Sequence, residues 1–271
     1  MKEIKNISSL DKKSDCVHIY IRGQSFRKDF DGQKACINSL IDCIIRPLSD
    51  SGIYVKVSLC TYEHSNDDLF SSLFIKENGV EEFYLEQYKP GMHGKCQIKN
   101  FCHVLNKVLN NNDSALILRP DLLFLQKIDP IRMIESKFLF QWNTFHDTST
   151  FEVPDQIHYM GREILASVIP GLLDKPELMG ILPNGEGKGS LHNLYNRVVS
   201  ITGSDSDISY IFYFKITSNY FQGSRCLLRG NPDVSELNNI YQYIRRVSDV
   251  ENVSLIRRVF RRVIDKIRIV L

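Results

Sequence analysis

The sequence predicts an α/β protein in which a mostly parallel β-sheet is flanked by helices. Segments typical of strands and of helices alternate through roughly the first 140 residues, an order that produces parallel strands joined by helices. Several strand-like segments are unbroken apolar runs, as expected of strands that helices cover on both faces. The helix-like segments repeat apolar residues every three or four positions, so that each presents one apolar face to the sheet.

The predicted elements follow one another along the chain. Val17 to Gly23 is β-branched and aromatic and ends in glycine, which is typical of a strand. Apolar residues at helical spacing predict a helix over 33–46, and Pro47 is predicted to stop it soon afterwards. The other predicted strands are 53–59, 80–85 at an edge of the sheet, 115–118, 137–142 and 208–216. The other predicted helices are 95–109, about 161–169, 191–200, 235–247 and 253–271, with 143–154 as a polar loop.

The composition limits the class of protein. The chain of 271 residues is long enough for one large α/β domain or two small ones, and we expect a domain over 1–250 followed by a helical segment over 251–271. Lysine and arginine number 34 against 32 aspartate and glutamate residues, a balance that argues against a dedicated nucleic-acid binder. The 7 cysteines, an odd number with no C-x-x-C spacing, favour reduced thiols and disfavour structural zinc.

The cellular location is predicted from the distribution of apolar segments. Residues 1–5, Met-Lys-Glu-Ile-Lys, begin the chain without the apolar stretch of a signal peptide. No apolar run reaches the roughly 18 residues that a membrane-spanning helix needs. We therefore expect a cytoplasmic protein, in agreement with the expectation of reduced cysteines.

The most informative motif follows the strand predicted at 115–118. This apolar run leads directly into Arg119, Pro120 and Asp121, and apolar residues resume at Leu122. Pro120 cannot donate to a strand ladder, so it suits the end of a strand. Ligands bind at the carboxyl ends of strands in open α/β sheets, which predicts a binding role for Arg119 and Asp121. The alternative is a structural ion pair between these two residues or with their neighbours.

Other polar motifs occur in a fixed order around this one. They are Arg22-Gly23-Gln24-Ser25-Phe26-Arg27 after the first strand, Gln97 and Lys99 on a helix, Trp142-Asn143, and Val153-Pro154-Asp155-Gln156. Over roughly residues 17–165, this series resembles the GT-A-like, nucleotide-sugar-dependent glycosyltransferases that build bacterial and viral surface polysaccharides, including lipopolysaccharide.

The resemblance implies a Rossmann-type, GT-A-like fold, a nucleotide-sugar donor and a glycan acceptor. It implies that the donor is bound by Arg22, Gly23, Gln24, Arg27, Arg119 and Trp142. Asp121 stands where these enzymes place the second carboxylate of an Asp-x-Asp motif that holds Mg²⁺ or Mn²⁺, which makes it a candidate catalytic residue and metal ligand. Since Arg119 replaces the first carboxylate, the alternatives are an arginine that clamps phosphate oxygens and an Asp121 that binds sugar hydroxyls.

The resemblance also implies a general base, for which Asp155 is the candidate. Such enzymes carry an acceptor-side carboxylate after a strand and a polar loop, where it deprotonates the acceptor hydroxyl. The alternative for Asp155 is the N-cap of the helix that follows. Trp142 stacks on a sugar or base, or else packs in the core. Arg22 and Arg27 either bind the diphosphate or are ordinary arginines of an exposed loop.

Three weaker candidates lie further along the chain. Asp205-Ser206-Asp207 is a literal Asp-x-Asp, but it precedes a predicted strand, so it ranks below Asp121 as a metal site. Lys188, in the glycine-rich loop 183–190, is either a residue of a closing lid or a solvated lysine. His192 either reaches a diphosphate or has a structural role.

Residues 255–271 have the pattern of a basic amphipathic helix. One stripe is apolar, from Ile256 to Leu271, and arginines and lysine cover much of the remaining surface. Such helices lie in membrane interfaces rich in anionic lipid, which predicts contact with the membrane surface beside a lipid-linked acceptor. The alternatives are packing against the rest of the chain, dimerisation, or contact with nucleic acid or another partner.

The predicted function is therefore transfer of a sugar from a nucleoside-diphosphate sugar to a glycan, lipid-linked, in cell-surface polysaccharide synthesis. A single candidate base favours an inverting reaction. One alternative is a non-catalytic protein that docks on a membrane or on nucleic acid through its basic C-terminal helix. The other is a nucleotidyl- or phosphotransferase, which predicts a strict metal requirement and no dependence on a sugar.

Overall fold

A computed structural model of the chain describes the central sheet and the helices around it. The described residues are 15–23, 30–64, 67–89, 91–92, 96–124, 127–140, 144–145, 151–152, 157–180, 191, 193–206, 208–210 and 225–227. The helices predicted at 235–247 and 253–271 lie outside these residues, and so does the predicted boundary between 1–250 and 251–271.

The described residues form both strands and helices. The strands are β1 (Cys16–Gly23), β2 (Tyr54–Tyr62), β3 (Glu82–Tyr88), β4 (Ser114–Leu118), β5 (Leu122–Phe124), β6 (Phe138–Phe140), β7 (Thr144–Phe145), β8 (Phe151–Glu152), β9 (Ile157–Met160), β10 (Ile208–Tyr210) and β11 (Arg225–Leu227). The helices are α1 (Phe30–Leu40), α2 (Arg46–Asp50), α3 (Asp67–Ser71), α4 (Gln97–Asn111), α5 (Pro130–Ile134), α6 (Arg162–Asp174) and α7 (Leu194–Thr202). No helix among these residues is long and apolar enough to cross a membrane.

Seven of the strands form one central sheet with the order β10-β6-β9-β4-β1-β2-β3. β1 lies parallel to β2 and to β4, β2 lies parallel to β3, and β6 lies parallel to β10. Only β9 is reversed within this sheet, because it pairs antiparallel with both β4 and β6. The predicted class is therefore confirmed: the chain has an α/β, Rossmann-like fold with a mostly parallel sheet flanked by helices.

Helices cover both faces of the sheet, which explains the unbroken apolar runs. Val17, Ile19 and Ile21 of β1 pack in one core with apolar residues of α1 and α2. Tyr20 faces the other side, where it packs in a second core with residues of α4, α6 and α7. Successive side chains of a strand point to opposite faces, so a strand with a core on each face is apolar throughout.

The structure corrects two predictions in the middle of the chain. The segment 143–154, predicted as a loop, contributes Thr144–Phe145 and Phe151–Glu152 to a short antiparallel pair. The segment before Gly161 contains β9, a buried strand that the sequence did not predict. Four residues are too few to show the alternation of apolar and polar residues that predicts a strand. β9 forms because β4 and β6 pair with it, one on each side.

The first helical region also runs further than predicted. Pro47 does not stop it at residue 46, because a π-helical turn over Ile41–Ile45 is followed directly by α2. Pro47 then occupies the first turn of α2, where a missing N–H group costs little.

Candidate functional site

Two arginines lie side by side at the carboxyl edge of the sheet. Ile21 of β1 is paired with Leu118 of β4, and Arg22 and Arg119 are the next residues of these two parallel strands. Both arginines are buried, with 3% and 8% of their surface exposed. The sequence predicted both as ligand-binding residues, and the structure brings them together where the sheet order predicts a binding crevice.

Gly23, the last residue of β1, has a backbone conformation that favours glycine. Its φ of +120° lies in the region that side chains rarely adopt, and a Cβ atom placed on it would lie 3.7 Å from Cδ of Pro120. Glycine has no Cβ, so it accepts this backbone conformation at little steric cost. The predicted donor residue Gly23 thus lies directly against the Arg119-Pro120-Asp121 segment.

Arg119 and Asp121 form a buried bidentate ion pair. Nε of Arg119 donates to Oδ1 of Asp121 at 2.9 Å, and Nη2 donates to Oδ2 at 2.6 Å. The ion pair named above as an alternative is therefore present, while the ligand-binding role of the two residues stays a prediction. With Arg22 beside them, the three residues carry two guanidinium cations and one carboxylate, a combination that suits an anionic ligand.

Side chains of α1 fix the segment that follows β4. Nε2 of the buried Gln33 donates to the carbonyl oxygen of Pro120. The backbone N–H of Phe124 donates to Oγ of Ser39 at 2.9 Å. Neither Gln33 nor Ser39 was predicted as a site residue, although a polar residue on the buried side of an apolar helix is a recognisable signal.

The first turns of α4 also lie at this edge. α4 connects the parallel strands β3 and β4, so it runs back across the sheet and begins where the strands end. The guanidinium carbon of Arg22 lies 5.3 Å from the ring centroid of Phe101, in the second turn of α4. Of the two residues that carried the resemblance here, Gln97 is half-buried and Lys99 is exposed.

A buried aspartate begins α3, shortly after the end of β2, in a segment where no site residue was predicted. Asp67 is 1% exposed, and its Oδ2 accepts hydrogen bonds from the backbone N–H of His64 at 2.9 Å and from Nε2 of Gln87 at 2.8 Å. These partners come from the ends of β2 and β3, so Asp67 belongs to the same edge of the sheet as Arg22.

The described residues do not form a metal site around Asp121. Both of its carboxylate oxygens accept hydrogen bonds from Arg119, so a divalent cation bound there would lie close to a guanidinium group of like charge. Within the described part of the chain, no group of three or more histidine, cysteine, aspartate or glutamate residues is arranged to hold a metal ion. The role of Asp121 as a ligand of Mg²⁺ or Mn²⁺ stays a prediction.

The cysteines whose pKa shifts are resolved are protonated thiols near neutral pH. Burial raises the pKa of Cys60, in β2, to about 12, and that of Cys43 to about 12. Burial likewise raises the pKa of Cys16 and of Cys102 to about 11. A thiol with such a pKa is a poor nucleophile, so none of these four residues suits covalent catalysis.

The remaining predicted site residues stand apart or outside the described residues. Asp205 precedes β10, which runs in the same direction as β6, β4 and β1, so it lies at the edge of the sheet opposite to Arg119. The residues outside the described part are Gln24, Arg27, Trp142, Asp155, Lys188, His192 and Asp207, together with 255–271.

Comparison with known proteins gives matches only among solved structures, since no protein-family model and no curated protein matches the chain. The nucleoside-diphosphate-sugar pyrophosphorylase from Vibrio cholerae RC9 is 11% identical, with a TM-score of 0.45 over 73% of this chain and 91% of that chain. The CTP:phosphocholine cytidylyltransferase from Streptococcus pneumoniae is 10% identical, with a TM-score of 0.45 over 88% of this chain and 100% of that chain. The galactosyltransferase LgtC is 8% identical, with a TM-score of 0.41 over 72% of each chain. Because these TM-scores are below 0.5, the function is inferred from the residues of this chain.

Proposed function

We propose that the chain is a GT-A-like glycosyltransferase that moves a sugar from a nucleoside-diphosphate sugar to a glycan acceptor. The observation that carries this proposal is the pair of buried arginines, Arg22 and Arg119, where the neighbouring strands β1 and β4 end. Guanidinium groups bind phosphate oxygens through paired, charge-assisted hydrogen bonds, and a diphosphate has enough oxygens to engage both. The carboxyl edge of a parallel sheet is also where nucleotides bind in α/β proteins.

The proposed reaction is a single displacement at the anomeric carbon. The bond from this carbon to the diphosphate oxygen breaks, and its electron pair stays on that oxygen. The acceptor hydroxyl oxygen bonds to the anomeric carbon from the opposite side, which inverts the configuration, and Asp155 takes the hydroxyl proton. Arg22 and Arg119 stabilise the negative charge that develops on the leaving diphosphate.

In this proposal Asp121 is a positioning residue for Arg119. Its two hydrogen bonds, at 2.9 and 2.6 Å, fix the plane of the guanidinium group at the end of β4. Preorganised donors lower the cost of binding and of charge development, because they need no rearrangement during the reaction. Gly23, Gln24, Arg27 and Trp142 complete the proposed donor site.

The proposed acceptor is a lipid-linked glycan of cell-surface polysaccharide synthesis. The support for this part is the basic amphipathic pattern of residues 255–271, which favours contact with anionic lipid. Binding of the protein to vesicles with and without anionic lipid, before and after removal of 255–271, tests it directly. Equal binding of both forms to anionic vesicles would count against a role of this segment.

The donor site is tested by thermal stability in the presence of UDP, GDP, CMP, dTDP or ADP, each with and without Mn²⁺. A nucleotide at about 100 times its Kd adds about 2.7 kcal/mol to the free energy of unfolding, which gives a clear rise in Tm. We expect one nucleotide class to stabilise the protein, and Arg22→Gln to abolish most of that rise. Arg162→Gln is the matched control, since Arg162 is exposed and follows β9 at the opposite edge.

Product analysis then separates the two enzymatic alternatives. A glycosyltransferase releases a nucleoside phosphate from a nucleotide sugar only when it transfers or hydrolyses the sugar. A nucleotidyltransferase instead releases pyrophosphate from a nucleoside triphosphate. Pyrophosphate release without consumption of a nucleotide sugar would overturn the proposed function, and so would the absence of any nucleotide effect on Tm.

A further inference from the structure

In the first turn of α4, the amide of Asn100 and the side-chain oxygen of Gln97 are buried without hydrogen-bond partners among the described residues. Asn100 is 5% exposed, and neither Nδ2 nor Oδ1 has a partner within the described part of the chain. The side-chain oxygen Oε1 of Gln97, three residues earlier on the same side of the helix, is buried and also has no partner among the described residues. A buried amide without partners lowers the free energy of unfolding, because it loses its hydrogen bonds to water, so the pair calls for a physical explanation.

The neighbours of Asn100 along α4 show which way its side chain points. His103 and Lys107 contact Oε1 of Glu86 in β3, at 3.1 and 2.9 Å. Asn111 donates to the hydroxyl of Tyr20 in β1 at 2.8 Å. Asn100 continues this row of residues by one further turn towards the start of α4.

This row leads to the carboxyl ends of β1, β2 and β3. α4 runs opposite to these strands, so each turn nearer its start lies nearer their carboxyl ends. The last residues of β2 and β3 on this face are Tyr62 and Tyr88, whose ring centroids lie 5.7 Å apart. Tyr88 also contacts the ring of His103 at 5.0 Å, one turn from Asn100. Arg22 contacts Phe101, the residue after Asn100, so we infer that the amides lie on the β2–β3 side of Arg22 and away from Arg119.

We propose that Gln97 and Asn100 bind the hydrogen-bonding edge of the nucleobase of the donor. This inference rests on the proposed function and assigns a part of the donor to each side of the crevice. A carboxamide places an N–H donor next to a carbonyl acceptor, and the edges of nucleobases present donors and acceptors side by side in the same way. A phosphate group only accepts hydrogen bonds, so it would leave Oδ1 of Asn100 without a partner.

The position of the amides agrees with the positions of the arginines. In the proposed function Arg22 and Arg119 bind the diphosphate. Arg22 then lies between Arg119 on one side and the amides on the other. The base then lies over the ends of β2 and β3, where the half-buried Tyr62 offers an aromatic surface. The sugar and the acceptor take the β4 side of the crevice.

The test compares nucleotide affinity by titration calorimetry for the wild type, Asn100→Asp and Asn100→Leu. The ligands are UDP, CDP, GDP and ADP, a nucleotide sugar of the preferred nucleoside diphosphate, and inorganic pyrophosphate as a probe that lacks a base. We expect both variants to weaken the preferred nucleoside diphosphate at least tenfold and to leave pyrophosphate affinity unchanged. Asn106→Asp is the matched control, since Asn106 is an exposed asparagine of the same helix.

Asn100→Leu also gives a readout that needs no ligand. Replacing a buried amide that lacks partners by an apolar side chain of similar size should leave the urea midpoint equal or raise it. A clearly lower midpoint would mean that the amide has a structural partner, and would overturn the inference. This readout keeps the proposal testable if Asn100→Asp does not fold because it buries a carboxylate.

The outcomes separate this inference from the proposed function. If the wild type binds a nucleoside diphosphate and both Asn100 variants bind it equally well, the inference is wrong and the proposed function stands. If the variants lose affinity for the nucleotide sugar but keep it for the nucleoside diphosphate, the amides contact the sugar and the base assignment is wrong. If the wild type binds no nucleotide, the proposed function itself fails, and the inference with it.

Discussion

Acidification from about pH 7 to about pH 5 is predicted to weaken the fold through His18. This histidine lies in β1 with only 3% of its surface exposed. Its Nε2 contacts Oγ of Ser58 at 2.7 Å, and its ring stacks on Tyr20 with centroids 4.1 Å apart. Burial lowers the pKa of His18 from 6.5 to about 4, because the imidazolium cation loses its hydration there. Asp113 opposes this shift and Lys56 adds to it.

The sign and size of the effect follow from proton linkage. The unfolded chain binds a proton at His18 below about pH 6.5, whereas the folded chain does so only near pH 4. Between these values the unfolded state binds more protons, so the free energy of unfolding falls as the pH falls. The full difference is about 3 kcal/mol, and about 2 kcal/mol of it is lost by about pH 5.

Urea unfolding at several pH values measures this contribution. We expect His18→Phe, which keeps an aromatic ring against Tyr20, to lose about 2 kcal/mol less than the wild type between about pH 7 and about pH 5. Ser58→Ala is the control, because it removes the hydroxyl partner at 2.7 Å and leaves the imidazole in place. Wild-type protein and His18→Phe with the same pH dependence would refute the reasoning.

Three further predictions concern the candidate site. Gly23→Ala should lower the free energy of unfolding by about 1–3 kcal/mol, measured by urea denaturation, because Gly23 has a φ of +120°. Arg119→Leu and Asp121→Leu should each lower the free energy of unfolding by about 3–5 kcal/mol, since each leaves a buried charge without its partner. The double variant should lose less than the sum of the two single losses, and additive losses would contradict a coupled pair. Ser39→Ala removes the acceptor of the 2.9 Å hydrogen bond from the Phe124 N–H group and should cost about 1 kcal/mol, with an unchanged urea midpoint as the contrary result.

The parts of the fold that the sequence predicted are those with a local pattern. β1, β2, β4 and α4 lie within a few residues of their predicted positions, because apolar runs and helical spacing over five or more residues identify them. β9 was missed, since its four residues are held in place by strands that are remote in the sequence. Pairing between distant strands leaves no local pattern that periodicity can detect.

Some residues of the candidate site could likewise be predicted from a local pattern, and others could not. Arg22, Arg119 and Asp121 could be predicted because each follows an apolar run, and the carboxyl ends of parallel strands share one edge. The burial of Asn100 was not predicted, because a single polar residue in a helix is ordinarily exposed. Its burial depends on how α4 lies across β1 and β3, which only the tertiary structure reveals.

Buried polar side chains are the features of this chain that its own stability explains least. His18 is buried too, but the Ser58 hydroxyl satisfies its Nε2, so packing within the fold accounts for it. Asn100 has no such partner among the described residues, and Arg22 and Arg119 hold two positive charges at one edge beneath the surface. Folding gains little from burying an amide without a partner or an arginine, even one that is paired as Arg119 is with Asp121, because each loses its hydration. Since these groups lie near one another where the strands end, their burial supports the proposal that this edge of the sheet binds an anionic, base-bearing ligand.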